Sequence, residues 1–90
     1  MRYGLHIELS DTVIEQTETH TRCSSWHNIH KNCKSLEEAD EICYKILSTF
    51  SKGFGRDEYV SFNQERRSFY TFREGGSIVG VANCRVTTLN

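Results

Sequence analysis

The 90-residue chain is 37% hydrophobic and 26% charged, contains no proline and carries a formal net charge of −1, a balance that excludes a disordered, collagen-like or polybasic polypeptide. No apolar run approaches the ~18 residues that a membrane-spanning helix needs, and residues 1–6 alternate in polarity where a secretion signal would present an apolar core. The expectation is one soluble, cytoplasmic domain over residues 1–90, with no membrane partner. At this size one helix face and one sheet face must supply nearly all of the core.

Along the chain, Tyr3, Leu5, Ile7 and Leu9 alternate with Arg2, Gly4, His6 and Glu8, the period of a half-buried strand. Ser10-Asp11 supplies a turn, and residues 12–21 are rich in β-branched types, so a first hairpin is expected. Its second strand is polar in its outer half (Glu15, Gln16, Glu18, His20), which suits a solvent-facing or edge strand. Such an edge leaves homodimerisation by strand pairing open.

Residues 23–34 show no sustained period and read as a strand end followed by a loop. They hold Cys23, His27, His30 and Cys33, with His20 upstream, and thiolate plus imidazole suits tetrahedral zinc. Structural zinc sites, however, usually draw two ligand pairs from separate elements. Here the candidates crowd one short segment, so a polar loop is expected, with no metal and no cofactor. Cys23 beside His20 or His27 lacks any recognisable nucleophile motif, and no catalytic residue is expected. Trp26 is either a plug closing the end of the sheet or an interface anchor, a role in which tryptophan is enriched.

Residues 35 to about 52 carry the clearest local signal. Ser35-Leu36-Glu37-Glu38 is a capping box, in which the serine oxygen accepts the Glu38 amide and the glutamate reaches back to the serine amide. Leu36, Ala39, Ile42, Cys43, Ile46, Leu47 and Phe50 follow at helical spacing. Gly53 stands where a left-handed residue would end the helix. The outer face collects Glu37, Glu38, Asp40 and Glu41, which the helix dipole favours in the early turns. Cys43 on the apolar face, like Cys84 further on, reads as a core thiol.

Beyond Gly53-Phe54-Gly55, residues 58–62 and 68–73 read as aromatic-rich strands around a polar turn bearing Arg66 and Arg67. Gly75-Gly76 makes a hairpin turn into the last strand, residues 77–89, where Gly80 marks a bulge or a close approach of the helix. The fold class is therefore α+β: one amphipathic helix packed on a mostly antiparallel sheet, in the order ββ-α-βββ. Aromatic strands flanked by arginines can stack single-stranded nucleic acid, but the same aromatics are wanted as core beneath the helix. Residues 1–41 carry a net charge of −4 and residues 42–90 one of +3, a polarity that can steer a partner but first suggests two halves that attract each other.

In size and organisation, with the hairpin residues Gly4-Leu5-His6-Ile7-Glu8-Leu9, the helix from Ser35 to Phe50, the terminal strand from Ser77 to Val86 and no catalytic motif, the chain resembles small phage-encoded inhibitors of host or defence machinery, anti-CRISPR proteins among them. The resemblance implies a non-enzymatic viral protein. It would act in the host cytoplasm by sterically occupying, or mimicking charge on, a protein or nucleoprotein complex. The candidate partner-binding residues are Glu37, Glu38, Asp40, Glu41, Trp26, Arg66 and Arg67. The alternative is a single-stranded nucleic-acid-binding or zinc-binding module.

Overall fold

The alternation in the first strand builds the centre of the molecule. In this computed structural model, which describes residues 2–51, 55–57 and 67–89, β1 (Arg2–Ser10) buries Leu5, Ile7 and Leu9 on one face. It is flanked on one side by β7 (Ser77–Leu89) and on the other by β4 (His27–Cys33), both antiparallel. β6 (Arg67–Glu74) and β5 (Gly55–Asp57) extend the sheet beyond β7, giving the order β4-β1-β7-β6-β5. Between β1 and β4 the chain makes an excursion, the two-stranded hairpin β2 (Thr12–Gln16) and β3 (Thr21–Ser24).

The helix α1 (Leu36–Phe50) covers the apolar side of the sheet. Ser35 adopts an extended N-cap conformation and its hydroxyl accepts the Glu38 amide at 3.1 Å. The Glu38 carboxylate accepts the amide of Lys34, at 3.2 Å, and not that of Ser35 as the capping box predicts. The cap is thus shifted by one residue, and it still satisfies two backbone donors that the helix start leaves exposed. Ala39 and Leu47 are buried against Leu5, Ile7, Leu9, Cys33, Phe72, Ala82 and Cys84. Phe50 meets Phe72 edge to face, with ring centroids 5.1 Å apart, the arrangement that aromatic quadrupoles favour. The helix closes on Ser51, whose amide donates to the Leu47 carbonyl at 2.9 Å; Gly53, expected to end it, lies outside the described residues.

Two readings of Gly80 hold together. Consecutive Phe72 and Arg73 face Gly80 and Ile78, so Val79 is the extra residue on β7 beside the glycine, and a Cβ on Gly80 would stand 3.2 Å from the Ser10 carbonyl and 3.4 Å from the Phe50 ring. The glycine lets β1, β7 and the helix end converge. Ser10 itself is fully buried: its hydroxyl donates to the Ser24 carbonyl at 2.7 Å and accepts the Thr12 amide at 3.2 Å. That hydroxyl pins the root of the excursion, while the Gln16 side chain accepts the Ile78 amide at 3.2 Å and ties its far end to β7.

The expected order ββ-α-βββ is corrected to ββββ-α-βββ. Residues 23–34, read as a strand end and loop, hold the end of β3 and, where the loop was expected, the whole of β4. β4 hides from a period search because it is an edge strand: only Ile29 and Cys33 are withdrawn from solvent, and the rest of it is exposed. The first hairpin also differs, since β1 pairs with β4 and β7, and the strand at 12–16 pairs with β3. The expected strand at 58–62 lies outside the described residues. Among the described residues no helix is long and apolar enough to cross a membrane.

Candidate functional site: the open face of the sheet

With the helix on one side, the other side of the sheet is mostly polar, with Phe69, Val81 and Leu89 among its apolar residues. Register and strand alternation place His30, His6, Arg85 and Arg67 in one row across β4, β1, β7 and β6. The neighbouring row is Asn28, Glu8, Asn83 and Phe69. The imidazoles of His6 and His30 are stacked, with centroids 4.2 Å apart and planes 12° from parallel. Asn28 Oδ1 and His6 Nε2 lie 3.0 Å apart and hold that stack in place. Arg85 and His30 are exposed, and Phe69 presents 40% of its surface to solvent. Arg2 and Thr87 stand further along the same face.

The face is cationic: Arg2, Arg67 and Arg85 outnumber Glu8, and two imidazoles accompany them. At ~4.8 Å between strands the row of four spans ~14 Å, the length of a few nucleotides. Asn83 Oδ1, at the centre of the second row, is buried with no hydrogen-bond partner among the described residues. A buried acceptor without a donor is costly. The opposite layer carries Glu37, Asp40 and Glu41, all exposed on α1. Acidic and basic surfaces therefore lie back to back across the molecule. Within the acidic half, Glu15 is already paired with Arg22 at 3.3 Å.

The residues singled out from the sequence are distributed over several surfaces. Glu37, Asp40 and Glu41 lie on the outer helix face beside Tyr44, which is 65% exposed, whereas Glu38 is half-buried and engaged by the Lys34 amide. Trp26 stands between β3 and β4, 42% exposed, just after Ser25, whose φ of 58° turns the chain. Arg67 belongs to the open face, and Arg66 lies outside the described residues. Cys23, His27, His30 and Cys33 do not converge. Cys33 is buried on the helix side, His30 belongs to the open face and Cys23 to the separate hairpin; no group of three or more His, Cys, Asp or Glu among the described residues is arranged to hold a metal ion. The aromatics divide: Phe72 is core, as expected, while Phe69 faces outward. His6, Arg85 and Asn83 were missed. The signal available for them was their place on the polar side of two alternating strands, which becomes a site only once the register is known.

The fold and this face define a small two-layer α+β domain, with a helix over one side of an antiparallel sheet and a polar, cationic platform on the other. Comparison of the chain with protein-family models, with curated protein sequences and with solved structures finds no match.

Proposed function

We propose that the protein is a non-enzymatic binding module whose open sheet face takes single-stranded nucleic acid. The observation that carries the reading is the in-register row His30–His6–Arg85–Arg67 with Phe69 exposed beside it. Arginines neutralise phosphates, and imidazole and phenyl rings give bases a surface on which to stack. The acidic helix layer on the opposite side adds orientation: it repels a polyanion from the wrong face and leaves the sheet as its landing surface. A net charge of −1 is thus compatible with nucleic-acid binding, because the charges are segregated.

Titration of the protein with a fluorescent single-stranded oligonucleotide at low and moderate salt tests this. Binding that weakens steeply with salt supports it; no binding at low salt refutes it.

A second reading, the protein inhibitor expected from the sequence, is favoured by Tyr44, 65% exposed among Asp40 and Glu41. An aromatic within an acidic surface is the composition of an anchor for a basic partner. In that reading the helix face occupies or mimics charge on a protein or nucleoprotein complex, as phage inhibitors of the anti-CRISPR kind do. Charge reversal at Glu37 and Glu41 would then abolish partner capture and leave oligonucleotide binding undiminished.

A further inference from the structure

We infer that Cys43 and Cys84 form a covalent oxidation site, at which a small-molecule disulfide of the glutathione class closes them into an internal disulfide joining the helix to the centre of the sheet. The two thiols come from elements 41 residues apart, yet their Sγ atoms stand 2.9 Å from one another, inside ordinary sulfur–sulfur contact. Closure to the ~2.05 Å of a disulfide bond requires a movement of only ~0.9 Å. Cys84 is buried in β7, where it pairs with Ile7 and Ser68 of the flanking strands. Cys43 lies half-buried on α1 and is the member of the pair that solvent reaches.

Their environments assign the roles. The hydrogen bond shared with Cys84 pushes the Cys43 thiol below its ordinary value, although burial and the charge of Asp40 oppose the shift. Cys84, which shares that hydrogen bond and is buried, is held well above its ordinary value. Burial raises Cys23 and Cys33, so Cys43 is the thiol best prepared to attack. Its thiolate attacks one sulfur of glutathione disulfide, forming a mixed disulfide and expelling one glutathione thiolate. Cys84 then loses its proton and attacks the Cys43 sulfur, expelling the second. In sum two protein thiols are oxidised to one disulfide, and one glutathione disulfide is reduced to two glutathione molecules.

The test is to equilibrate the intact protein in buffers spanning reduced to oxidised glutathione, block remaining thiols with an alkylating reagent under denaturing conditions, and map the peptides by mass. The expected oxidised product has lost two hydrogens, carries no glutathione, links Cys43 to Cys84 and leaves Cys23 and Cys33 alkylated. Its unfolding midpoint rises by on the order of 10 °C and returns on reduction. Cys23→Ser keeps the bond and Cys43→Ala loses it. Four alkylated thiols at every ratio, a stable glutathione adduct on Cys43, or a bond to Cys23 or Cys33 would each overturn the inference. The wild-type map decides the matter even if a variant folds poorly.

Discussion

Ser10→Ala should destabilise the protein far more than a serine substitution usually does. The hydroxyl is fully buried and makes two hydrogen bonds, to the Ser24 carbonyl at 2.7 Å and from the Thr12 amide at 3.2 Å. A hydrogen bond contributes ~1 kcal/mol net, and a buried partner left unsatisfied costs ~1–3 kcal/mol. A loss of about 2 kcal/mol is therefore expected. For a domain of this length the unfolding entropy near the midpoint is ~0.19 kcal/mol/K, so the midpoint should fall by ~10 °C. The assay is thermal unfolding followed by circular dichroism, with urea unfolding as a check. Because the hydroxyl pins the root of the β2–β3 excursion, amide exchange in residues 12–24 should also accelerate relative to β1 and β7. A midpoint within about 2 °C of wild type would refute the reasoning, since the hydroxyl would then not be holding the excursion to the sheet.

Further outcomes follow from the same packing. Phe72→Ala, which empties a fully buried ring position against Phe50, should cost ~3–5 kcal/mol in urea unfolding. Gly80→Ala should destabilise by ~1–2 kcal/mol, because its Cβ must displace the Ser10 carbonyl or the Phe50 ring. Phe69→Ala should leave the unfolding midpoint nearly unchanged and weaken oligonucleotide binding by ~1–3 kcal/mol, read by fluorescence anisotropy. On the alkaline side, burial raises Tyr70, Cys23 and Cys33 above their ordinary values, and hydrogen bonding and burial raise Cys84. Cys43 is shifted the other way, but on balance the folded state keeps protons that the unfolded chain has released. Stability should be full below about pH 8.5 and decline as pH rises beyond it, measured by urea unfolding in reducing buffer.

What was legible from the sequence is what depends on neighbours in the chain. Ser35 and the apolar series from Leu36 to Phe50 specify the helix locally, and the alternation in residues 2–9 and the glycine turn before the apolar residues of 77–89 specify two strands. β4 was not legible, because an edge strand with Ile29 and Cys33 as its apolar contacts has no period to display. The separate β2–β3 hairpin was not legible either, since nothing local tells β1 to prefer β7 and β4 over the strand that follows it. The site shares this fate. His6 and Glu8 read plainly as the outward side of a strand, but the row that joins them to Arg85 and His30 exists only through pairing between residues distant in sequence. Arg67, singled out for its place beside a turn, stands instead on a face built from neighbours distant in sequence.

The most direct test of the open face as a nucleic-acid platform is the salt dependence of oligonucleotide binding for wild type and Arg85→Ala. Arg85 is exposed on β7, so its removal should change stability by no more than ~0.5 kcal/mol. If Arg2, Arg67 and Arg85 each neutralise one phosphate, wild-type affinity should fall ~18-fold between ~50 and ~200 mM salt, at a slope of ~0.7 per contact on single strands. The variant, with two contacts left, should bind more weakly at low salt and fall only ~7-fold over the same range. An affinity and salt slope unchanged by the substitution would contradict the account.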